Sequence, residues 1–178
     1  MGQGLFIKVA QVVAECFGVT LDKVFLSPTN TSEIPNTSAT AASSGSDLNG
    51  MAVKLACESI CRRMSEFLAK YYQEKITNVR FAEGSVHIGK HEISFTSAVQ
   101  LCYQNRIILS ATGFYKTPDI SWDRIKGNGR PFFYFAHGVS VSEVVIDTLT
   151  GENRLLRADI LHDVGVSLNP SIDIGQVE

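Results

Sequence analysis

Two short segments of the chain combine small residues with hydrogen-bonding side chains directly before helix-like sequence. One is residues 1–4, MGQG, and the other is residues 41–46, AASSGS. The first-turn N–H groups of a helix have no partner inside the helix and carry the positive end of its dipole, so they can hold an anion without lysine or arginine. Small residues let a phosphate or a flat ring come close, and serine hydroxyls add donors. Residues 41–46 therefore form either an anion site or an ordinary serine-capped helix start.

Glutamine next to glycine occurs at both ends of the chain. Gln3 lies between Gly2 and Gly4, and Gln176 follows Gly175. An amide side chain in such a position can donate and accept hydrogen bonds toward a heterocycle. Glycines at a helix start are also ordinary turn geometry, so both explanations stay open for both pairs.

The other candidate side chains favour structural roles. Cys57 and Cys61 are four residues apart on a predicted helix, but no histidine or further cysteine is spaced to complete a zinc or iron–sulfur set. We therefore predict core packing for them and no metal held by protein side chains. Glu143, His162 and Asp163 fall in a predicted strand pair, where a buried polar network of structural role is expected.

Hydrophobic periodicity predicts an α+β fold, with helices packed on mixed or antiparallel sheets. We expect a first lobe at residues 1–105, with the small-residue loop and a long helix, and a second at 106–178, with a long β-hairpin. The polar residues of the first helix share one stripe, so it should be buried on most sides. The predicted elements are a helix at 5–17, a strand at 23–27, a helix from 48 to about 72, β-like runs within 78–95, a helix capped by Thr96 through 104, a strand at 107–115, a loop at 119–131, and a hairpin of strands 132–147 and 154–164.

Composition narrows the functional classes. The net charge of −2, with 19% charged residues, lacks the basic footprint that holds nucleic acid. Four widely spread cysteines are typical of reduced cytosolic thiols, and neither a signal peptide nor an apolar run of roughly 20 residues occurs. We expect a cytoplasmic protein without a membrane span. Both ends are abrupt, so we also expect a piece of a longer polypeptide whose unpaired strand edges promote self-association.

Taken together, the motifs resemble the molybdenum-binding region of xanthine dehydrogenases, in the molybdenum hydroxylase family. The resemblance runs from end to end and is weakest around residues 70–104. The motifs that carry it, in chain order, are MGQG at 1–4, PNTSATAAS at 35–43, DLNG at 47–50, SATGFY at 110–115, GVSVSEV at 138–144, LTG at 149–151 and NPSIDIGQVE at 169–178.

This resemblance implies a molybdopterin cofactor, whose own dithiolene holds the molybdenum. It assigns Gly2 and Gln3 to cofactor contact, the loop Ala42, Ser43, Ser44 and Gly45 to the pterin and its phosphate, and Gln176 to a second pterin contact. It also implies that Ala41 and Ala42 lie near the metal and the substrate. No catalytic residue is assigned within these 178 positions.

The resemblance implies a reaction that needs more than this chain. The family hydroxylates hypoxanthine and xanthine to urate with oxygen from water, and passes electrons through 2Fe-2S clusters and FAD to NAD. Its general-base glutamate and its substrate clamp lie outside the matched segment, and Glu178 belongs to the terminal motif rather than being that base. We therefore expect an inactive segment that depends on the rest of the catalytic subunit, on iron–sulfur and FAD domains, on a purine substrate and on an oligomeric parent. Alternatives are a segment of an aldehyde oxidase or other N-heterocycle hydroxylase, and a non-catalytic remnant or folding module.

Overall fold

Helices and short antiparallel sheets make up two units, residues 1–116 and 117–178, in the computed structural model, which describes residues 2–32, 41 and 43–178. The expectation of an α+β fold is confirmed. The split into lobes at 1–105 and 106–178 stays a prediction about the assembled domain. In unit 1 the elements are α1 (Leu5–Phe17), α2 (Gly45–Tyr71), β1 (Val79–Ala82), β2 (Ser85–Ile88), β3 (His91–Ser94) and α3 (Phe95–Gln104), and in unit 2 they are β4 (Ser121–Asp123), β5 (Asn128–Arg130), β6 (His137–Ile146), β7 (Asn153–Asp163) and α4 (Pro170–Val177).

The core of unit 1 forms where α2 meets the sheet β1-β2-β3 and α3. Met64 and Leu68 project from α2 and are at most 1% exposed, and β2 directs alternate residues Val86 and Ile88 against them. Fully burying one such side chain contributes about 1.5–3 kcal/mol. This cluster fixes the second half of α2, and the first half carries the candidate loop.

Local geometry in the sheet explains one helix start. Ser94 has extended backbone, and its Oγ accepts a hydrogen bond from the N–H of Ser97 at 3.1 Å, so Ser94 caps α3. The expectation that Thr96 is the cap was wrong, because the helix already includes Phe95 and Thr96. The helix itself and its end at Gln104 are confirmed.

Helices α1 and α2 pack side by side and run in the same direction. A Cβ on Gly50 would lie 3.9 Å from Cγ2 of Val12, and further along both helices the Cys61 thiol is 3.5 Å from the carbonyl oxygen of Cys16. The bounds predicted for α1 are confirmed, but its burial is less than expected. Phe6 and Ile7 are 58% and 47% exposed, because beyond α2 the described residues contact only the C-terminal end of α1, through the Leu21–Lys23 turn and the sheet.

Two predicted strands are absent from the described residues. Lys23 is the last residue of a single 3-10 turn at Leu21–Lys23, and residues 24–27 have no paired strand. Residues 107–115 run along α2 instead of joining a sheet. The Arg63 guanidinium donates to the carbonyl oxygen of Ser110 at 2.8 Å, and Gly113 lies directly against the backbone of Ala52. A strand needs a neighbour for its backbone hydrogen bonds, and none lies beside either segment in the described residues.

Unit 2 is built on the predicted hairpin. Strands β6 and β7 are antiparallel, with a bulge between Glu143 and Val144, and Gly151 donates from its N–H to the Asp147 carbonyl oxygen at 2.8 Å in the turn. Every residue of both strands is exposed. The buried polar network expected for Glu143, His162 and Asp163 was therefore wrong, since the described residues of unit 2 provide no second layer over the hairpin.

Three further details of unit 2 depart from expectation. The predicted loop 119–131 contains the short hairpin β4–β5, whose turn is fixed by Asp123, which accepts from the N–H groups of Ile125 and Lys126. Strand β6 begins at His137 rather than at residue 132. Helix α4 was not predicted.

Among the described residues, every helix falls short of the length and apolarity that a membrane span requires.

Candidate functional site

The segment before α1 leaves the first turn of that helix without a side-chain cap. Gly2 and Gly4 have positive φ angles of 82° and 66°, and Gly4 is the N-cap residue. The first bond within the helix runs from the Lys8 N–H to the Gly4 carbonyl oxygen at 3.1 Å. Because glycine has no side chain to cap with, the preceding first-turn N–H groups face outward without a side-chain acceptor. Gln3, between the two glycines, is half-buried.

The first turn of α2 also lacks a side-chain cap, although the residue before it is a serine. The Ser44 hydroxyl donates to the carbonyl oxygen of Ala41 at 2.8 Å, and the Ser44 backbone N–H points to the same oxygen at 3.3 Å. Ser44 is the N-cap of α2, yet its hydroxyl is turned away from the helix. By contrast, the cap residues of α3 and α4, Ser94 and Asn169, each accept a bond from a first-turn N–H.

Backbone conformation tightens this loop further. Ser43 has a φ of 58°, in the left-handed region that costs a non-glycine residue about 1–2 kcal/mol. Gly45 is buried at the first position of α2, while Ala41 is exposed. Ala42, which sequence assigned to both the cofactor and the substrate side, lies outside the described residues. A strained serine beside an uncapped helix start fits a phosphate or pterin held by backbone N–H groups and a hydroxyl.

The two uncapped helix starts lie at one end of the α1–α2 pair. Val12 and Gly50 are level with each other, and the helices run in the same direction. With a rise of 1.5 Å per residue, α1 begins about 10 Å before Val12 and α2 about 8 Å before Gly50. The structure therefore brings Gly2 and Gln3 to the same end as Ser43, Ser44 and Gly45. In the sequence, the one indication that these two segments belong together is that each places small residues directly before a helix.

Gln176 lies in the other unit. It is exposed on α4, which starts at Pro170 after the Asn169 cap. The Asn169 Oδ1 accepts from the N–H of Ile172 at 3.2 Å, so this helix start, unlike the two in unit 1, is capped by its own side chain. The assignment of Gln176 to a pterin contact stays a prediction.

Three cysteines meet between α1 and α2. Cys16 and Cys57 share a thiol hydrogen bond, and the Cys61 thiol donates to the Cys16 carbonyl oxygen at 3.5 Å. Burial raises the pKa of the Cys57 thiol to about 11 and that of Cys61 to about 12. The burial of Cys57 and the contacts among the three thiols show that they pack between the two helices. No group of three potential metal ligands occurs among the described residues.

The buried thiols lead to a first prediction, about chemical reactivity. At pH 8 in the folded chain, Cys57 and the core residue Cys102 are expected to react with an aromatic disulfide reagent about 100-fold more slowly than in denaturant. The thiolate is the nucleophile, and burial raises the pKa of each thiol from 9.0 to about 11, which lowers the thiolate population by that factor. Mass spectrometry of each labelled peptide over time measures this directly. Labelling of Cys57 at the denatured rate would contradict it.

The same burial fixes the sign of a pH effect. The folded-state pKa is above the unfolded value of 9.0, so these protonated thiols favour the folded state fully below pH 9. That contribution declines as the pH rises from 9 toward 12. Urea denaturation at pH 8 and pH 10.5 should show lower stability at the higher pH, and a smaller loss when Cys61 is replaced by alanine.

Comparison with known proteins now places the chain in a class. All 178 residues match the family described as the molybdopterin cofactor-binding domain, and the chain belongs to that family. The fold agrees with solved structures of a Cu,Mo-CO dehydrogenase and of quinoline 2-oxidoreductase from Pseudomonas putida 86. Each has a TM-score of 0.74 at 21% identity, over 99% of this chain and 22% of that one. At this identity the likeness concerns the fold alone.

Curated relatives narrow the class further. The chain is 46% identical to the xanthine dehydrogenase of Oryza sativa subsp. japonica, 47% to that of Dictyostelium discoideum and 43% to the xanthine dehydrogenase/oxidase of Gallus gallus. Each match covers 100% of this chain and 12% of the relative. The chain is thus similar to one segment of a much longer oxidoreductase, as the motifs predicted.

Proposed function

We propose that this chain supplies part of the molybdopterin site of a xanthine dehydrogenase-type enzyme. That enzyme would hydroxylate hypoxanthine and xanthine to urate with oxygen from water, and pass electrons through iron–sulfur clusters and FAD to NAD. Support comes from the unbroken similarity to xanthine dehydrogenases along all 178 residues. Because the chain spans 12% of those relatives, the activity belongs to the longer polypeptide.

The observation that carries the proposal is the pair of uncapped helix starts at one end of unit 1. Each start places roughly half a positive charge at its outer turn and has no side-chain cap; the first turn of α1 carries no acidic residue, and that of α2 carries one, Asp47. Two such ends side by side suit an anionic ligand with a polar ring. A phosphorylated pterin has that chemistry.

Each candidate residue has a definite part in this arrangement. The Ser43 hydroxyl and the N–H of Gly45 would hold the phosphate, and the Ser44–Ala41 hydrogen bond would keep the loop in shape. The amides of Gln3 and Gln176 would orient the pterin ring by donating and accepting hydrogen bonds. The small side chains of Ala41 and Ala42 would leave room for the purine. When bound, the cofactor would supply the molybdenum centre and its two-electron redox chemistry.

The proposal also names partners and a location. The remainder of the catalytic subunit would complete the site with its general base and substrate clamp. Iron–sulfur and FAD domains would carry the electrons away, and the parent would be a cytoplasmic oligomer without nucleic-acid partners. The modest charge of −2 and the free cysteines are consistent with that setting.

Metal and pterin analysis tests the proposal. The chain would be purified joined to its neighbouring coding segments, and separately by itself, and molybdenum and pterin would be measured per polypeptide. We expect both in the joined protein at near one per chain, together with xanthine oxidation in preference to aldehydes and other N-heterocycles. Absence of both from the joined protein would favour a non-catalytic remnant, and preference for aldehydes would favour an aldehyde oxidase.

A further inference from the structure

One segment of unit 1 has the sequence and backbone of a strand but no strand beside it. Val24 is extended, with φ −101° and ψ 119°, and its N–H bonds back to the Leu21 carbonyl oxygen at 3.1 Å. Among the described residues, the backbone groups of Phe25 and Leu26 make no hydrogen bond. Unpaired backbone polar groups become costly when they are taken out of water, so any contact that covers these apolar side chains has to supply partners for the N–H and C=O groups as well.

Both faces of the segment 24–26 carry apolar side chains that a partner could cover. Phe25 is 88% exposed and Leu26 is 51% exposed, although successive strand residues point to opposite faces. Consecutive apolar residues at 24–26 are typical of strands buried on both sides, rather than of edge strands with one wet face. The described residues cover the face of Val24 and Leu26 only in part, and they leave the face of Phe25 almost bare.

A ready-made cavity adjoins this segment. It measures about 730 Å³ and lies between Val24 and Phe25, the end of α1 and the β1–β2 turn. Its walls are fixed. The Gly84 N–H donates to the Gly18 carbonyl oxygen at 2.6 Å, and the rings of Phe17 and Phe95 pack with their centroids 5.6 Å apart. We call this space the Phe25 pocket.

The charges at the rim of the Phe25 pocket indicate which side chains a partner segment would bring. Glu15 and Glu83 both line the Phe25 pocket, and the lining lysine, Lys23, has its ammonium 3.1 Å from the carboxylate of Asp22. Two carboxylates above phenylalanine walls suit an apolar side chain flanked by a basic one.

We propose that residues 23–27 accept a β-strand from the part of the parent polypeptide outside these 178 residues. The added strand would pair with Phe25 and Leu26 through its backbone, place an apolar side chain in the Phe25 pocket and bring a lysine or arginine to Glu15 and Glu83. The chain makes up 12% of its curated relatives, so most of the polypeptide is available to supply that strand. This inference rests on the proposed function only in requiring a longer parent.

Hydrogen exchange on the purified parent polypeptide tests the pairing. We expect the amides of Phe25 and Leu26 to exchange about 100-fold more slowly than those of the neighbouring Thr29 and Asn30, as ladder bonds require. Leu26→Pro removes one donor and should raise exchange at Phe25 at least tenfold, whereas the matched variant Thr29→Pro should leave it unchanged. Exchange at Phe25 as fast as at Thr29 in the unmodified parent would overturn the proposal.

Two further readouts separate competing outcomes. The 178-residue chain alone could show the same protection, increasing with its concentration. In that case the added strand comes from a second copy of this chain, and the proposal fails. Molybdenum content of the same samples is independent of the exchange result. Normal molybdenum with fast exchange overturns only the strand pairing, and slow exchange without molybdenum overturns only the proposed function.

Discussion

Gly18→Ala is expected to lower the free energy of unfolding of unit 1 by about 2–5 kcal/mol. Gly18 ends α1 with φ +61°, and a Cβ there would lie 2.5 Å from both Cα and N of Ala82. Backbone atoms cannot move aside as the end of a flexible side chain can, so α1 and β1 would have to separate. Urea denaturation of the variant beside the parent chain measures the loss.

Gly84→Ala provides the matched control. Gly84 has φ +74°, yet a Cβ there would meet nothing within 4 Å, and its N–H to Gly18 would be retained. Its cost should be limited to the left-handed backbone, about 1–2 kcal/mol. Equal losses for both variants would show that close packing at Gly18 contributes nothing beyond its dihedral angle.

Gln3→Glu should lower molybdenum and pterin content at least tenfold in the joined protein. The change keeps the size of the side chain, but it removes the amide donor and places a negative charge at the end of unit 1 proposed to hold an anion. Leaving a polar atom of the pterin ring without its partner costs about 1–3 kcal/mol, which corresponds to about 5–150-fold in affinity, and the new negative charge lowers the affinity further. Elemental analysis per polypeptide measures occupancy.

Gln100→Glu is the control for this charge change. Gln100 is exposed on α3, and the same substitution there alters net charge equally. Molybdenum content should remain at the parent level. If both variants lose cofactor to the same degree, Gln3 has no specific contact and the effect is one of net charge.

The helices of unit 1 could be predicted from sequence because their signals are local. The 3.6-residue spacing of apolar side chains gave the bounds of α1, and gave α2 to within three residues at its start. The turn residues Thr148 to Glu152, with Gly151, likewise located the turn between β6 and β7, where the Leu149 N–H donates to the Asp147 carboxylate. These features need only neighbours within a few positions along the chain.

The strands predicted at 23–27 and 107–115 have no partner among the described residues, for a common reason. Apolar β-branched and aromatic residues signal that a segment suits a sheet, but strand assignment also needs a partner, which sequence periodicity does not supply. In 107–115 the approach of Gly113 to Ala52 replaces that partner with the surface of α2. Helix α4 was missed because its eight residues alternate apolar and polar too briefly to show a period.

The candidate site was predicted in part. Small residues before a helix suggested an anion site at Ser43 to Gly45, and glycines around Gln3 suggested another. Both sites lie at one end of unit 1 because α1 packs on α2 in the same direction, through contacts such as Gly50 with Val12. Sequence alone does not show that packing. The outward turn of the Ser44 hydroxyl toward Ala41 depends on loop geometry that composition does not encode.

The core of unit 1 also dictates an order of events during protein synthesis. Its buried and partly buried members all fall between Ile60 and Leu109, a continuous stretch of chain. Contacts so close in sequence form quickly, and they can be complete once Leu109 has left the ribosome. At roughly 5–20 residues per second, residues 110–178 follow Leu109 out of the ribosome over roughly 3–14 s. The exposed apolar hairpin therefore emerges beside a unit that has already folded, so the time in which both are unstructured together is short.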